Sequence, residues 1–187
     1  WIGLVGSEMC IRDRVIICAS THSPEEKILI NAFELLKNEK ALLILVPRHP
    51  ERAYKILKEM KNSNLEVALF GENKFQLDFS KRINLIDEIG YLEDLFSLAD
   101  IAFIGGTLIP HGGQNFLEAV RYSLPISSGK SFYNFQEIAE DLISMEILQV
   151  ANSAQEIKDI WKKQLSFTSD KIIEKTEDYL RERQGAS

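Results

Sequence analysis

Residues 15–26 read Val-Ile-Ile-Cys-Ala-Ser-Thr-His-Ser-Pro-Glu-Glu, and this stretch decides the fold. Its first five side chains are all apolar, which is typical of a parallel strand that is buried on both faces. Ser23 is predicted to cap the following helix, with Pro24 at the first helical position and Glu26 completing a capping box. A buried strand that leads directly into a helix predicts a βα unit.

The same alternation continues along the chain. Short apolar runs at residues 41–46, 65–70, 83–86, 100–105, 125–127 and 147–150 predict further strands, with helices between them and one helical tail at residues 153–183. About six or seven strands without a linker or repeat predict a single doubly wound parallel sheet, an α/β fold of the Rossmann-like type. Ligands of such sheets bind beyond the carboxyl ends of the strands, so the strand-to-helix loops are the candidate sites.

The amino-acid composition argues against several classes of protein. The formal net charge of −6 over 187 residues argues against a nucleic-acid surface, which needs a dense basic patch. Cys10 and Cys18 are the only cysteines, so we expect a reducing compartment and no disulfide framework. No apolar run is long enough to span a bilayer, and we therefore expect the chain itself to be soluble.

The start of the chain does not fit the βα pattern. Residues 6–14 read Gly-Ser-Glu-Met-Cys-Ile-Arg-Asp-Arg, which resembles translated sequencing-adapter sequence. Glu8, Arg12 and Asp13 interrupt any apolar core that a signal peptide would need. We expect residues 1–14 to be a non-native leader and residues 15–187 to form the domain, with a short native leader helix as the alternative.

Two strand-end loops carry candidate ligand-binding side chains. After the first strand, the hydroxyls of Ser20 and Thr21 can hold an anion together with the free N–H groups of a helix start. After the second strand, two prolines stiffen the turn that carries Arg48 and His49. Arg48 presents a planar fork suited to a phosphate or a nucleobase edge, whereas His49 can either bind a ligand or simply pack. Arg52, one turn into the next helix, is expected to be solvated.

A third loop, residues 104–118, is the most informative. It reads Ile-Gly-Gly-Thr-Leu-Ile-Pro-His-Gly-Gly-Gln-Asn-Phe-Leu-Glu, with two glycine pairs ahead of a helix predicted to begin at about Asn115. Paired glycines bring backbone N–H groups close to a phosphate. The spacing is neither G-x-G-x-x-G nor G-x-x-x-x-G-K-[ST]. The carboxylate of Glu118, on the first turn, can accept two hydrogen bonds from a ribose diol or serve only the helix dipole.

A metal site is not predicted. His22, His49 and His111 lie in three different loops, and no pair has the spacing of two ligands on one helix face.

The sequences of these three loops resemble those in the carboxyl-terminal domain of 3-deoxy-D-manno-octulosonic acid (Kdo) transferases. The resemblance rests on residues 21–26, on residues 43–52 with their Pro-Arg-His-Pro-Glu-Arg string, and on residues 105–118. It covers residues 15–165 and implies the donor-binding half of a GT-B glycosyltransferase. The 105–118 segment alone would indicate only a GT-B protein.

The resemblance implies an activity for the full-length protein. Members transfer Kdo from CMP-Kdo to the lipid A precursor in lipopolysaccharide biosynthesis, at the cytoplasmic face of the bacterial inner membrane. The implied partner of this fragment is CMP-Kdo or CMP, with no separate cofactor and no nucleic acid. The general base, the lipid A precursor and the membrane contact would belong to an amino-terminal domain, so this fragment is expected to hold no catalytic residue and to be inactive alone.

The resemblance also implies roles for individual residues. Arg48 would contact the cytidine or its phosphate, Glu118 would hold the ribose hydroxyls, and Ser20 would lie close to the phosphate or the sugar. Residues 113–115 would cradle the phosphate. The predicted donor-binding set is Ser20, Thr21, Arg48, His49, Gly106, Thr107, His111, Gly112, Gly113, Gln114, Asn115 and Glu118.

Three positions depart from the family string, which has Arg in place of His111, His in place of Gln114 and Pro in place of Ala119. His111 removes a permanent charge, and Gln114 keeps a hydrogen-bond donor that cannot titrate. These departures indicate a divergent branch or a different keto-sugar donor. Two alternatives stay open: another GT-B protein, such as a UDP-sugar transferase or UDP-sugar 2-epimerase, and a non-catalytic nucleotide-binding domain on the same sheet.

Overall fold

The computed structural model describes residues 14–38, 40–167 and 169–186, and for Asn62 its backbone alone. Of the expected leader, only Arg14 is described, and it begins the first strand; the expectation for residues 1–13 lies outside the described residues. The described strands are β1 (Arg14–Thr21), β2 (Ala41–Pro47), β3 (Val67–Leu69), β4 (Ile83–Leu85), β5 (Ile101–Ile104), β6 (Ile126–Ser128) and β7 (Leu148–Val150).

These strands form one sheet in the order β3-β4-β2-β1-β5-β6-β7, and every neighbouring pair is parallel. The described helices are α1 (Glu25–Leu36), α2 (Ala53–Glu59), α3 (Leu92–Leu98), α4 (Leu117–Arg121), α5 (Gln136–Ser144), α6 (Ala154–Leu165) and α7 (Ser169–Gly185), with short 3-10 turns at Pro50–Arg52, Met60–Asn62 and Tyr133–Phe135. Within the described ranges the helices are too short or too polar to cross a membrane.

Apolar side chains of each central strand are buried on both faces of the sheet. In β1, Ile16 and Cys18 pack toward α1, α2 and α6, whereas Ile17 and Ala19 pack toward α3, α4, α5 and α7. This two-sided burial is why strand residues are apolar at every position and do not alternate. The predicted doubly wound parallel sheet is confirmed.

The sheet reverses its winding between β1 and β5. On one side of β1 the chain places β2, then β3 at the edge of the sheet, and then β4 between them, before it crosses to β5 on the other side of β1. The two loops at this switch point touch main chain to main chain: a Cβ added to Gly105 would lie 2.5 Å from the carbonyl oxygen of Ser20. Ser20 itself adopts a left-handed conformation, with φ of 57°. A crevice at this switch point is where doubly wound folds bind ligands.

Three local predictions were wrong. Ser23 does not cap α1, because the helix begins at Glu25 after Pro24 and no side chain caps it. The helix predicted near Asn115 begins at Leu117 and is five residues long; the Asn115 side-chain oxygen instead accepts the Leu117 N–H at 3.0 Å. The tail forms two helices, α6 and α7, in place of one.

Candidate functional site

Four backbone N–H groups converge on the carboxylate of Glu25, which is fully buried. Its Oε2 accepts hydrogen bonds from His22 (2.9 Å) and Gly106 (2.8 Å), and its Oε1 accepts from Thr107 (3.0 Å) and Leu108 (2.9 Å). Successive N–H groups of a glycine-rich loop form an anion-binding nest. In this protein an internal carboxylate occupies that nest, an arrangement termed here the Glu25 brace.

The next residue, Glu26, attaches the loop that follows β2. Its carboxylate is almost fully buried and accepts two hydrogen bonds from the Arg52 guanidinium, at 2.8 and 3.2 Å, and one from the Thr21 hydroxyl at 3.1 Å. The expectation that Arg52 is merely solvated was therefore wrong. Because Glu25 and Glu26 are adjacent, the first turn of α1 holds the loops after β1, β2 and β5 together.

Three of the predicted donor-binding residues have polar groups that are already engaged within the protein. The side chains of Thr21 and Thr107 are fully buried, and the Thr107 hydroxyl donates to the Ile104 carbonyl (2.7 Å) and accepts the Gly129 N–H (2.8 Å). The Gly106 N–H is bonded to Glu25. These groups shape the loops and are not available to a ligand, because their hydrogen bonds are made within the protein.

The N–H groups that stay available lie further along the third loop. The N–H of Gly113 donates to the Gly106 carbonyl at 2.8 Å, and that of Gly112 to the Ser131 hydroxyl at 3.2 Å. Among the described residues, no atom accepts a hydrogen bond from the backbone N–H of residues 114, 115 or 116. Of the predicted cradle at residues 113–115, Gly113 is therefore engaged within the protein, and the three successive N–H groups without a described acceptor are those of residues 114–116, termed here the amide row.

Arg48 and Glu118 are the charged side chains among the predicted donor-binding residues. The backbone N–H of Arg48 donates to the Thr21 carbonyl (2.9 Å), which fixes the turn against the end of β1. Its exposed guanidinium makes no hydrogen bond or ion pair with any described residue. Burial raises the pKa of the Glu118 carboxyl, and Glu93 adds to this, while the charges of Arg121 and Arg48 oppose it. Arg48 and Glu118 are thus near enough to interact, and neither is consumed by a structural bond.

The three histidines, predicted to lie in separate loops, meet at this edge of the sheet. The rings of His22 and His111 lie 4.1 Å apart between centroids with a tilt of 38°, and that of His49 lies 6.0 Å from His22. The buried Nδ1 of His22 has no hydrogen-bond partner among the described residues. Burial lowers the pKa of His22, and the His111 and His49 rings lower it further, against the Glu25 carboxylate and the Ser20 backbone, which raise it.

The other predicted positions line the same loops. Gly112, with φ of 94°, is enclosed by Tyr133 and Asn134, so that an added Cβ would lie 2.6 and 2.4 Å from their side chains. His49 is largely exposed, with its Nδ1 3.7 Å from the Glu51 carboxylate.

In the described part of the chain, no three His, Cys, Asp or Glu side chains are grouped as a metal site requires.

Sequence reasoning missed the buried carboxylates and the binding potential of His22. A signal for Glu25 was present, because positions 25, 29, 32 and 33 lie on one face of a helix, and the last three are Leu29, Ala32 and Phe33. A carboxylate on the buried face of a helix must be paired. Three of its four partners lie more than 80 positions away and carry no local signal.

Comparison with known proteins identifies the family. No protein-family model matches the chain. It is 34% identical over 151 residues to the Kdo transferase of Haemophilus influenzae, covering 79% of this chain and 35% of that protein. It superposes on the C-terminal CMP-Kdo binding domain of WaaA from Acinetobacter baumannii with a TM-score of 0.83 and 31% identity, covering 91% of this chain and 90% of that domain. This chain belongs to the Kdo transferase family.

The chain has the parallel sheet and flanking helices of a GT-B glycosyltransferase domain, which confirms the fold predicted from the sequence. It is also 36% identical over 149 residues to a bifunctional glycosyltransferase/methyltransferase of Fusobacterium nucleatum, covering 79% of this chain and 23% of that protein. The chain thus spans about a third or less of the length of these two curated relatives. Its likeness to the catalytic domain of cholesterol-α-glucosyltransferase from Helicobacter pylori, at 12% identity and a TM-score of 0.53, shows the fold alone.

Proposed function

We propose that this chain binds the nucleotide of CMP-Kdo and is the donor-binding part of a Kdo transferase, which moves Kdo to the lipid A precursor. The observation that carries the proposal is the amide row, residues 114–116, whose N–H groups have no acceptor among the described residues. The Glu118 carboxyl follows on the first turn of α4, and the charge of Arg48 acts on it. The similarity to a domain described as CMP-Kdo binding, over 91% of this chain, supports it.

The phosphate is assigned to the amide row. Adjacent backbone N–H groups that lack internal partners are anion ligands, because a buried N–H without an acceptor is costly and a phosphate oxygen supplies that acceptor. The glycine nest at residues 106–108 cannot serve, since Glu25 already occupies it. When the sugar–phosphate bond breaks, the same N–H groups stabilise the negative charge on the departing CMP.

The two charged side chains are assigned to the nucleoside. Glu118 accepts hydrogen bonds from the ribose diol, and Arg48 donates to the phosphate or to the cytosine edge. Ser20, beside Gly105 at the switch point, lies next to the phosphate or the sugar. The proposal requires no cofactor or metal beyond the donor itself. It places the general base, the acceptor and contact with the inner membrane face in the complete protein.

Titration calorimetry of the full 187-residue chain with CMP, cytidine, UDP and GDP tests the proposal. We expect CMP to bind more tightly than UDP or GDP, and cytidine to bind more weakly than CMP because it lacks the phosphate. Circular dichroism establishes that the chain is folded. A folded chain that prefers UDP, or binds none of the nucleotides, contradicts the proposal and favours another GT-B activity or a different binding role.

A further inference from the structure

His22 and His111 form a close pair at the mouth of the site. Their ring centroids are 4.1 Å apart, although 88 positions of sequence separate them. The Nδ1 atom of His22 is buried and has no partner among the described residues. A buried ring nitrogen without a hydrogen bond is energetically unfavourable. The pair therefore lacks a hydrogen-bond partner for this nitrogen.

The pair adjoins the amide row. A Cβ added to Gly106 would lie 3.1 Å from Cδ2 of His111 and 3.5 Å from Nε2 of Gln114, so both side chains lie over the same glycine. Gln114 is the first residue of the amide row. An anion on these N–H groups is therefore close to the His111 ring.

The charges that face the pair explain its protonation. His49 comes from the loop after β2, Glu25 from α1, and the Ser20 backbone from the end of β1. Two imidazolium ions at 4.1 Å repel each other, and His49 opposes a positive charge on His22. Glu25 favours that charge, but both of its oxygens are already committed to backbone N–H groups. An acidic ligand oxygen at the pair would offset the repulsion and favour the protonated form.

We propose that His22 and His111 together form a proton-linked binding site for an acidic oxygen of the donor, so that donor binding takes up one proton near neutral pH. This inference rests on the proposed function. The acidic oxygen is that of the phosphate or that of the sugar carboxylate, which present the same chemistry to an imidazolium. His22 becomes a ligand-binding residue that also provides specificity for anionic donors.

Calorimetry in buffers of different ionisation enthalpy measures the proton uptake. We expect CMP binding to take up as much as one proton at about pH 7 and to weaken about tenfold between about pH 6 and pH 8, across the ordinary histidine range. Cytidine should bind without uptake. Uptake with CMP identifies the phosphate, and uptake with free Kdo identifies the carboxylate.

Substitutions separate the histidine contribution from the titration of the CMP phosphate itself. His111→Asn and His22→Asn should each remove most of the uptake, and the phosphate's own titration is common to wild type and variants. His111→Arg supplies a permanent charge, so it should bind CMP equally well at both pH values without uptake. His49→Asn should retain the uptake, whatever its effect on affinity. Because His111 is exposed, its variants remain informative even if His22→Asn does not fold.

Two outcomes overturn the inference. One is CMP binding by the wild type with the same proton uptake in His111→Asn and His22→Asn. The other is wild-type affinity for both CMP and Kdo that does not change across the histidine range. In either case CMP binding still supports the proposed function, whereas a folded chain that binds neither CMP nor Kdo removes both.

Discussion

The Oε2 atom of Glu25 lies 2.8 Å from the amide nitrogen of Gly106, a hydrogen bond that spans 81 positions of sequence. It is one of four such bonds to a single carboxylate. Because this carboxylate lies inside the fold, the glycine loop is shaped before any ligand arrives. Binding then costs little loop ordering, which is the advantage of preorganisation.

Removing the Glu25 carboxylate should destabilise the protein and weaken nucleotide binding. Glu25→Ala leaves N–H groups without an acceptor, so we expect the free energy of unfolding to fall by roughly 1–3 kcal/mol or more. Added formate should restore part of the CMP affinity, since a small carboxylate can enter the vacated nest. Denaturant unfolding and calorimetry measure both effects, with Glu34→Ala, an exposed site in α1, as the matched control. A folded Glu25→Ala chain with wild-type CMP affinity would show that the brace does not position the site.

Arg48→Ala and Glu118→Ala should each weaken CMP binding. Each removes a charge-assisted hydrogen bond to the ligand, and we expect a loss of roughly 1–3 kcal/mol in binding free energy. Arg181→Ala on α7, where the arginine is 75% exposed, is the control for charge. Equal CMP affinity in Arg48→Ala and Arg181→Ala would exclude a contact between Arg48 and the nucleotide.

Arg52→Ala should lower stability more than a surface substitution does. It leaves the Glu26 carboxylate, 5% exposed, without its two-point partner. Loss of one member of a buried ion pair costs about 3–5 kcal/mol, and the 23% exposure of Arg52 makes us expect the lower end of that range or less. Chemical denaturation of Arg52→Ala, Glu26→Gln and the double variant gives the coupling free energy, which should be well above that of the exposed pair of Lys55 and Glu59. Additive effects would contradict the coupling.

Asp100 should make stability depend on pH. Burial raises the pKa of its carboxyl, while the Val15 N–H, donated at 2.7 Å, and the Arg14 charge lower it. A raised pKa means that the folded state favours the protonated form, so the stabilising contribution is present at low pH and is lost as the pH rises through the folded-state pKa.

Asp100→Asn keeps an acceptor for Val15 but no charge. Its melting temperature should exceed that of the wild type at about pH 7, and the difference should shrink at about pH 4. Asp141→Asn, at an exposed site in α5, is the control and should show no such pattern. A lower melting temperature for Asp100→Asn at neutral pH would mean that the Arg14 charge outweighs burial.

The sheet, and the edge of it where the candidate loops meet, could be predicted because their signals are local. The apolar runs of β1 and β2 are continuous, Arg48 directly follows β2, and the glycine pairs follow β5. Parallel topology then brings those loops to one edge of the sheet. The predicted ends of the elements were less accurate; the strand predicted at residues 65–70, for example, is Val67–Leu69.

The hydrogen bonds that connect the loops to one another could not be predicted. A glutamate in the first turn of a helix is explained by the helix dipole alone, so nothing in the sequence shows that Glu25 reaches across to Gly106 and Thr107. The same limit applies to the histidines, since His22 and His111 become neighbours only when β1 and β5 pair.

The contact between Gly105 and the carbonyl of Ser20 sets where this domain can change. No side chain lies between the two backbones, so side-chain repacking cannot make room for a larger residue at position 105. Such a residue would force β1 and β5 apart. Positions 111 and 114 lie past this junction, where the His111 side chain is exposed and that of Gln114 is half-buried. A change of ligand specificity is therefore expected to come from these two residues, while Gly105 must stay a glycine.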